Sequence, residues 1–179
     1  AVVTMAYVGR VVVEKGVETV IDCLRALLKA GVEARLVIVG KGEDGYIERL
    51  RRATTDLPID WRGAVPHGNV QHQLRGAHFF VFPTRHYGEG HSNALTEAMS
   101  GGLVPLVADN GFNGSIVGEA GIILPKDADG AAYASALRTV LAENRWTMLS
   151  RRAQQRTAEH FSRKQVVPAL IAQYRKLVG

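Results

Sequence analysis

Phe79-Phe80-Val81-Phe82-Pro83 is an apolar run closed by a proline. Six residues later the chain reads Glu89-Gly90-His91-Ser92-Asn93-Ala94-Leu95-Thr96-Glu97-Ala98-Met99. The first run predicts a buried strand, and the second a polar turn opening into a helix. Strand, polar loop and helix in that order is where α/β sheets set ligand sites, at the carboxyl end of a strand. Ser92 or Asn93 is a suitable helix cap, and the free N–H groups behind it would face the loop, ready for an anion. Glu89 falls in the loop and Glu97 about one turn inside the helix. Two carboxylates so placed can hold one ligand at two separate points.

The flanking sequence repeats this alternation. An apolar strand is predicted over residues 1–9 and a helix over 17–28, where Val17, Val20, Ile21, Leu24, Leu27 and Leu28 recur at helical spacing before Gly31. Residues 34–39 predict a second strand, 43–54 a helix and 59–62 a short strand. A helix at 69–75 precedes the strand at 78–82. After the helix from Asn93 come a strand at 103–108, a loop at 110–114 and a short strand at 121–124. Three helices are predicted at 129–144, 145–161 and 162–177, with Pro168 kinking or starting the last. Strands alternating with helices predict an α/β fold, a Rossmann-like parallel sheet with helices on both faces. Residues 1–179 form one expected domain.

The composition is that of a soluble globular chain, with 46% hydrophobic and 22% charged residues. No run of eighteen apolar residues is present, and the N-terminus lacks the charged start of a signal peptide. Beginning directly on a core strand suggests a domain cut from a longer protein. The single cysteine, Cys23, sits among the apolar residues of a helix and reads as a buried, inert thiol. The net charge of +5 allows an anionic ligand. Much of the excess lies in residues 145–163, where a solvated helical face accounts for it.

A second polar stretch, Gly9-Arg10-Val11-Val12-Val13-Glu14-Lys15-Gly16, links the first strand to the first helix. Arg10 can grip phosphate oxygens with its planar fork, and Lys15 can add a point charge. Exposed cations flanking a turn are the plainer alternative. With Glu89 and Glu97 on another loop of the same sheet edge, a phosphate site is favoured.

Together these stretches resemble the C-terminal, donor-binding domain of retaining GT-B glycosyltransferases of family four. Its members typically read Gly-Arg and then Glu-Lys-Gly after the first strand, and later Glu-Gly-Phe-Gly or Glu-Gly-x-Pro-Asn followed by Glu-Ala-Met-Ala-x-Gly. Here the matching residues are Gly9-Arg10 and Glu14-Lys15-Gly16, Pro83-Thr84, Glu89-Gly90-His91-Ser92-Asn93 and Glu97-Ala98-Met99-Ser100-Gly101-Gly102. Residues 36–42, Trp61-Arg62-Gly63-Ala64-Val65 and the helix bearing Tyr174 also fit, so the resemblance covers nearly the whole chain. His91 and Ser92 replace the commoner Phe-Gly, and Asn110-Gly111-Phe112-Asn113-Gly114-Ser115 replaces the usual Gly-Gly-x-Pro-Glu.

The resemblance implies roles by position. Glu97 would bind the ribose hydroxyls of a nucleotide-diphosphate sugar, UDP- or GDP-linked. Glu89 would bind hydroxyls of the donor sugar near the reacting carbon. Arg10 and Lys15, after Gly9, would hold the diphosphate as it leaves. The N–H groups near Ser92, Asn93 and Ala94 would add a helix-terminus contribution, and the nucleobase would sit near residues 63–65, read at Val65. Retention is implied without a stable protein nucleophile, and without a cofactor or metal. A glycan or lipid-linked acceptor would bind through an N-terminal domain that this chain lacks, so the chain alone would bind donor weakly and transfer little. A cytoplasmic location, with peripheral attachment at the inner face of the membrane, is implied at family level only.

Other readings rest on smaller motifs. Gly40-Lys41-Gly42-Glu43-Asp44-Gly45 has the G-x-G-x-x-G spacing, with Asp60 about twenty residues on, and suggests a non-catalytic nucleotide or dinucleotide module. It follows the second strand, however, and Asp60 falls within the next one rather than at its end. A sugar-nucleotide epimerase of the same fold would also use Arg10 and Lys15. Asp127-Ala128-Asp129 spells a metal–diphosphate signature of another fold, but at a helix start it reads as a cap. The histidines lack metal-ligand spacing, and no nucleic-acid module is visible.

Overall fold

A computed structural model describes residues 2–178. Six strands form one parallel sheet in the order β3-β2-β1-β4-β5-β6. They are β1 Val3–Val8, β2 Ala34–Val39, β3 Ile59–Gly63, β4 Phe79–Phe82, β5 Val104–Ala108 and β6 Ile122–Leu124. β1, β4 and β5 are buried along their whole length, because helices cover both faces of a parallel sheet. β3, at the edge, alternates between half-buried and exposed residues. Met5 faces Phe79 across the centre of the sheet, and Phe79 faces Val104 on its other side.

The helices are α1 Val17–Lys29, α2 Asp44–Arg52, α3 Val70–Gln73, α4 Asn93–Ser100, α5 Asn113–Val117, α6 Gly130–Ala142, α7 Trp146–His160 and α8 Arg163–Val178. α1 packs on α6, and α4 on α7. Cys23 is buried with its Sγ 3.7 Å from Met5 Sδ, and burial pushes its thiol up to about 12. Asp129 caps α6, its Oδ1 accepting from Ala132 N at 2.8 Å, so that acid serves the helix end.

Two local expectations are corrected. The helix predicted over 69–75 shrinks to one turn, α3, behind a 3-10 turn at His67–Asn69. The 3-10 turn takes up residues 67–69, and Gly76, at φ +80°, turns the chain away at the other end. The predicted loop at 110–114 runs into α5 from Asn113. Of the two places open to Pro168, the structure has the one inside α8, so the Lys164 carbonyl has no N–H partner four residues on. α8 runs along the outside, with Val166, Val167, Leu170, Ile171, Tyr174 and Leu177 exposed. None of the helices is long and apolar enough to cross a membrane among the described residues.

β1 and β4 are neighbours, yet their following helices belong to different halves of the sheet. The chain reverses its winding there and leaves a crevice at the carboxyl ends of the two strands. Residues 9–16 and 83–92 are the loops that flank it.

Candidate functional site at the centre of the sheet

The loop after β1 is held from below by Tyr7. Its buried hydroxyl donates to the Arg10 carbonyl at 2.6 Å. Burial, and then the nearby Glu89 carboxylate, hold the Tyr7 phenol well above its ordinary pKa. Arg10 therefore has a fixed backbone under an exposed side chain. Its guanidinium lies 3.9 Å from Glu14 Oε1, a surface contact that restrains it little. The loop then makes a 3-10 turn at Val13–Lys15, which turns Lys15 inward.

Lys15 is buried, and its Nζ donates to Glu89 Oε2 at 2.5 Å. The Phe82 ring centroid is 5.9 Å from the same ammonium. Thr84, fully buried just after β4, donates from Oγ1 to Glu89 Oε2 at 2.6 Å. The two loops are also joined through their backbones, since Arg85 N donates to Glu14 O at 2.8 Å. One cation, one anion and one hydroxyl thus meet where the two loops cross.

A third loop braces them. Asn110, buried after β5, donates from Nδ2 to the Thr84 carbonyl at 3.2 Å and the His86 carbonyl at 3.0 Å. Gly111 lies against Glu89 so tightly that a Cβ there would fall 2.0 Å from the Glu89 carbonyl oxygen. At 110–114 the sequence predicts a loop that departs from the family's usual Gly-Gly-x-Pro-Glu, and assigns it no role. A polar Asn at the buried end of a core strand was the only available signal.

Ser92 caps α4, its Oγ accepting from Leu95 N at 3.3 Å. Asn93 and Ala94 begin the helix, where backbone N–H groups lack intrahelical partners. Glu97 is half-buried further along α4. It lines a groove with Gly68, Gln71, His72 and Ala77 on one side, and borders Gln154, Thr157 and Phe161 on another. Gln71 Nε2 donates to Ser100 Oγ at 2.8 Å, tying the segment after β3 to α4. Val65, half-buried, precedes that segment. The expected site residues divide accordingly. Lys15 and Glu89 touch, and Arg10 shares the Lys15 loop. Ser92, Asn93 and Ala94 follow Glu89 closely in the chain. Glu97 lines the groove that residues 68–77 also line, and Val65 precedes that segment in the chain. His91 is exposed, its ring centroid 5.2 Å from that of Phe161.

The Gly40-Lys41-Gly42 turn has a different occupation. Gly9 N donates to Val39 O at 3.0 Å and Val11 N to Lys41 O at 2.8 Å, so the loop after β1 runs directly over it. A Cβ at Gly40 would fall 1.8 Å from Gly9 O, and one at Gly42 2.0 Å from Val11 O. These glycines admit a neighbouring strand of backbone where a dinucleotide module would admit a pyrophosphate. Asp60 accepts from Arg62 Nε at 2.8 Å on the surface. Among the described residues no three His, Cys, Asp or Glu side chains come together as a metal cage.

Comparison with known proteins agrees with this architecture. The family model for "Glycosyl transferases group 1" matches residues 3–143. A GDP-mannose:cellobiosyl-diphosphopolyprenol alpha-mannosyltransferase of Xanthomonas campestris is 30% identical over 98% of this chain and 47% of its own length. A GDP-mannose-dependent alpha-(1-6)-phosphatidylinositol dimannoside mannosyltransferase of Mycobacterium tuberculosis is 32% identical over 95% of this chain and 43% of its own. The chain thus spans about half the length of these relatives. Among solved structures, a sucrose-phosphate synthase from Thermosynechococcus elongatus superposes with a TM-score of 0.83 at 23% identity, over 98% of this chain and 45% of the other. Anabaena HepE in complex with UDP-glucose gives 0.80 at 19%, over 97% and 48%. The chain belongs to the glycosyl transferases group 1 family, and its fold is that of the C-terminal half of a GT-B glycosyltransferase.

Proposed function

We propose that this chain is the donor-binding half of a two-domain glycosyltransferase that takes a nucleoside-diphosphate hexose. The observation that carries the reading is the Lys15–Glu89 pair at the sheet's switch point, set between Arg10 and the capped start of α4. A cation and helix N–H groups on one side suit a diphosphate. A carboxylate on the other suits sugar hydroxyls. Glu97 takes the ribose, and the Val65 segment the base. GDP is the preferred nucleotide, because relatives about 30% identical are described by GDP-mannose; UDP is the alternative.

In this reading the bond between the sugar carbon and phosphate oxygen breaks and the diphosphate leaves with the electron pair. Arg10, Lys15 and the α4 N–H groups face the developing charge and lower the barrier without a metal. The acceptor oxygen attacks the same sugar carbon from the same face, and its proton passes to the leaving phosphate, which retains the configuration. No protein nucleophile is required. The acceptor, a glycan or lipid-linked saccharide, binds through the other half of the enzyme. Peripheral membrane attachment would come through that half as well. The chain alone binds donor and turns over little.

Calorimetric titration with GDP, UDP, ADP and NAD tests this, beside Glu97→Ala and Arg10→Ala. Selective binding of one nucleoside diphosphate, weakened in both variants, is the expected result. NAD binding indifferent to both substitutions would overturn it.

A further inference from the structure

We propose that Thr84 is a positioning residue that fixes which oxygen of Glu89 is offered to the sugar. The inference rests on the donor-site reading above and deepens it. Glu89 Oε2 accepts from both Lys15 Nζ and Thr84 Oγ1. Oε1 accepts no hydrogen bond among the described residues, and the Tyr7 hydroxyl nearby is committed to the Arg10 carbonyl. The carboxylate therefore has one oxygen spent on the protein and one available.

Lys15 cannot set that orientation alone. An ammonium is a point charge on a flexible stem, and a carboxylate can pivot about it. Thr84 is short, β-branched and fully buried, so its hydroxyl has a fixed position. His86 N donates to Thr84 Oγ1 at 3.3 Å, occupying an acceptor lobe and leaving the hydroxyl proton for Glu89. Asn110 holds the Thr84 carbonyl from the loop after β5. The chain of constraint thus runs from β5 through Thr84 to the plane of the Glu89 carboxylate. Oε1 is left to accept from a hexose hydroxyl, and the diphosphate contacts do not depend on Thr84.

Thr84→Val and Thr84→Ser separate these roles. Each is titrated with GDP and GDP-mannose, and with UDP and UDP-glucose, beside the parent chain. Removing the hydroxyl in T84V is expected to weaken the sugar conjugate about tenfold while leaving the bare diphosphate within about twofold. T84S, which keeps the hydroxyl, stays near the parent for both ligands. A T84V that keeps the parent's ratio of the two affinities overturns the inference and leaves the donor site standing. Equal loss of both ligands also overturns it, since that is the mark of general disorder. A parent chain that binds none of the four ligands overturns the donor-site reading, and this inference with it. Melting curves report whether T84V is folded; Thr84→Ala makes the same comparison if it is not.

Discussion

Lys15 and Glu89, 74 residues apart in sequence, form an ion pair whose side chains are 11% and 9% exposed. Removing one member strands the other charge away from water. Lys15→Met is therefore expected to destabilise the chain by about 3 kcal/mol. Lys15→Met combined with Glu89→Leu removes both charges and should recover much of that loss. Urea denaturation of the parent, the single variant and the double variant checks this. A double variant no more stable than the single one would contradict it.

The Gly40 and Gly45 positions should respond in opposite directions. Gly40→Ala forces a methyl into the Gly9 carbonyl and must displace the Arg10 loop. Gly45 is in the first turn of α2 with nothing near its Cβ direction, so Gly45→Ala should stabilise by about 0.5 kcal/mol through helix propensity. Thermal melts of the two variants give the signs. A neutral Gly40→Ala would refute the close backbone contact.

Asn110→Ala removes both hydrogen bonds that tie the loop after β5 to residues 84 and 86. The freed carbonyls are partly buried, and the expected cost is about 2 kcal/mol. Amide hydrogen exchange should quicken across residues 85–90, while α1 and α6 keep their protection. Uniform quickening throughout the chain would show global destabilisation in place of a local release.

His78 should make stability depend on pH. Its Nδ1 accepts from Thr4 N at 3.0 Å, which requires the neutral ring. Burial, and then the Arg35 guanidinium, lower its pKa below 6.5. As pH falls past 6.5 the unfolded chain takes up a proton that the folded chain refuses. This contribution is thus complete above 6.5 and is lost as pH falls toward the folded value. His78→Asn keeps an acceptor for Thr4 without titrating. Denaturation midpoints at about pH 7.5 and about pH 5.5 should differ less in that variant than in the parent.

The sheet was legible because its strands are unbroken apolar runs such as Phe79-Phe80-Val81-Phe82, and α4 because Ser92 announces its start. α3 was over-read, since one turn leaves almost no periodic signal. In the site, the residue types at positions 10, 15, 89 and 97 could be picked out on two loops and a helix. That Lys15 grips Glu89 could not, because nothing in local sequence reports a contact across 74 positions. The contacts that Thr84 and Asn110 make were hidden for the same reason. Their partners are set by how three loops cross above the sheet.

The first strand of the chain lies in the middle of its sheet. β1 can pair with β2 early, but its other edge stays open until β4 exists, more than seventy residues later. Closing so long a stretch of chain is slow compared with forming a helix. The loop at 9–16 depends on that closure for its shape, and the Asn110 brace on the loop at 83–92 comes later still. During synthesis the crevice is thus among the last parts of the molecule to take form. Hydrogen exchange pulsed during refolding should find β1 and β2 protected before the amides of residues 84–90.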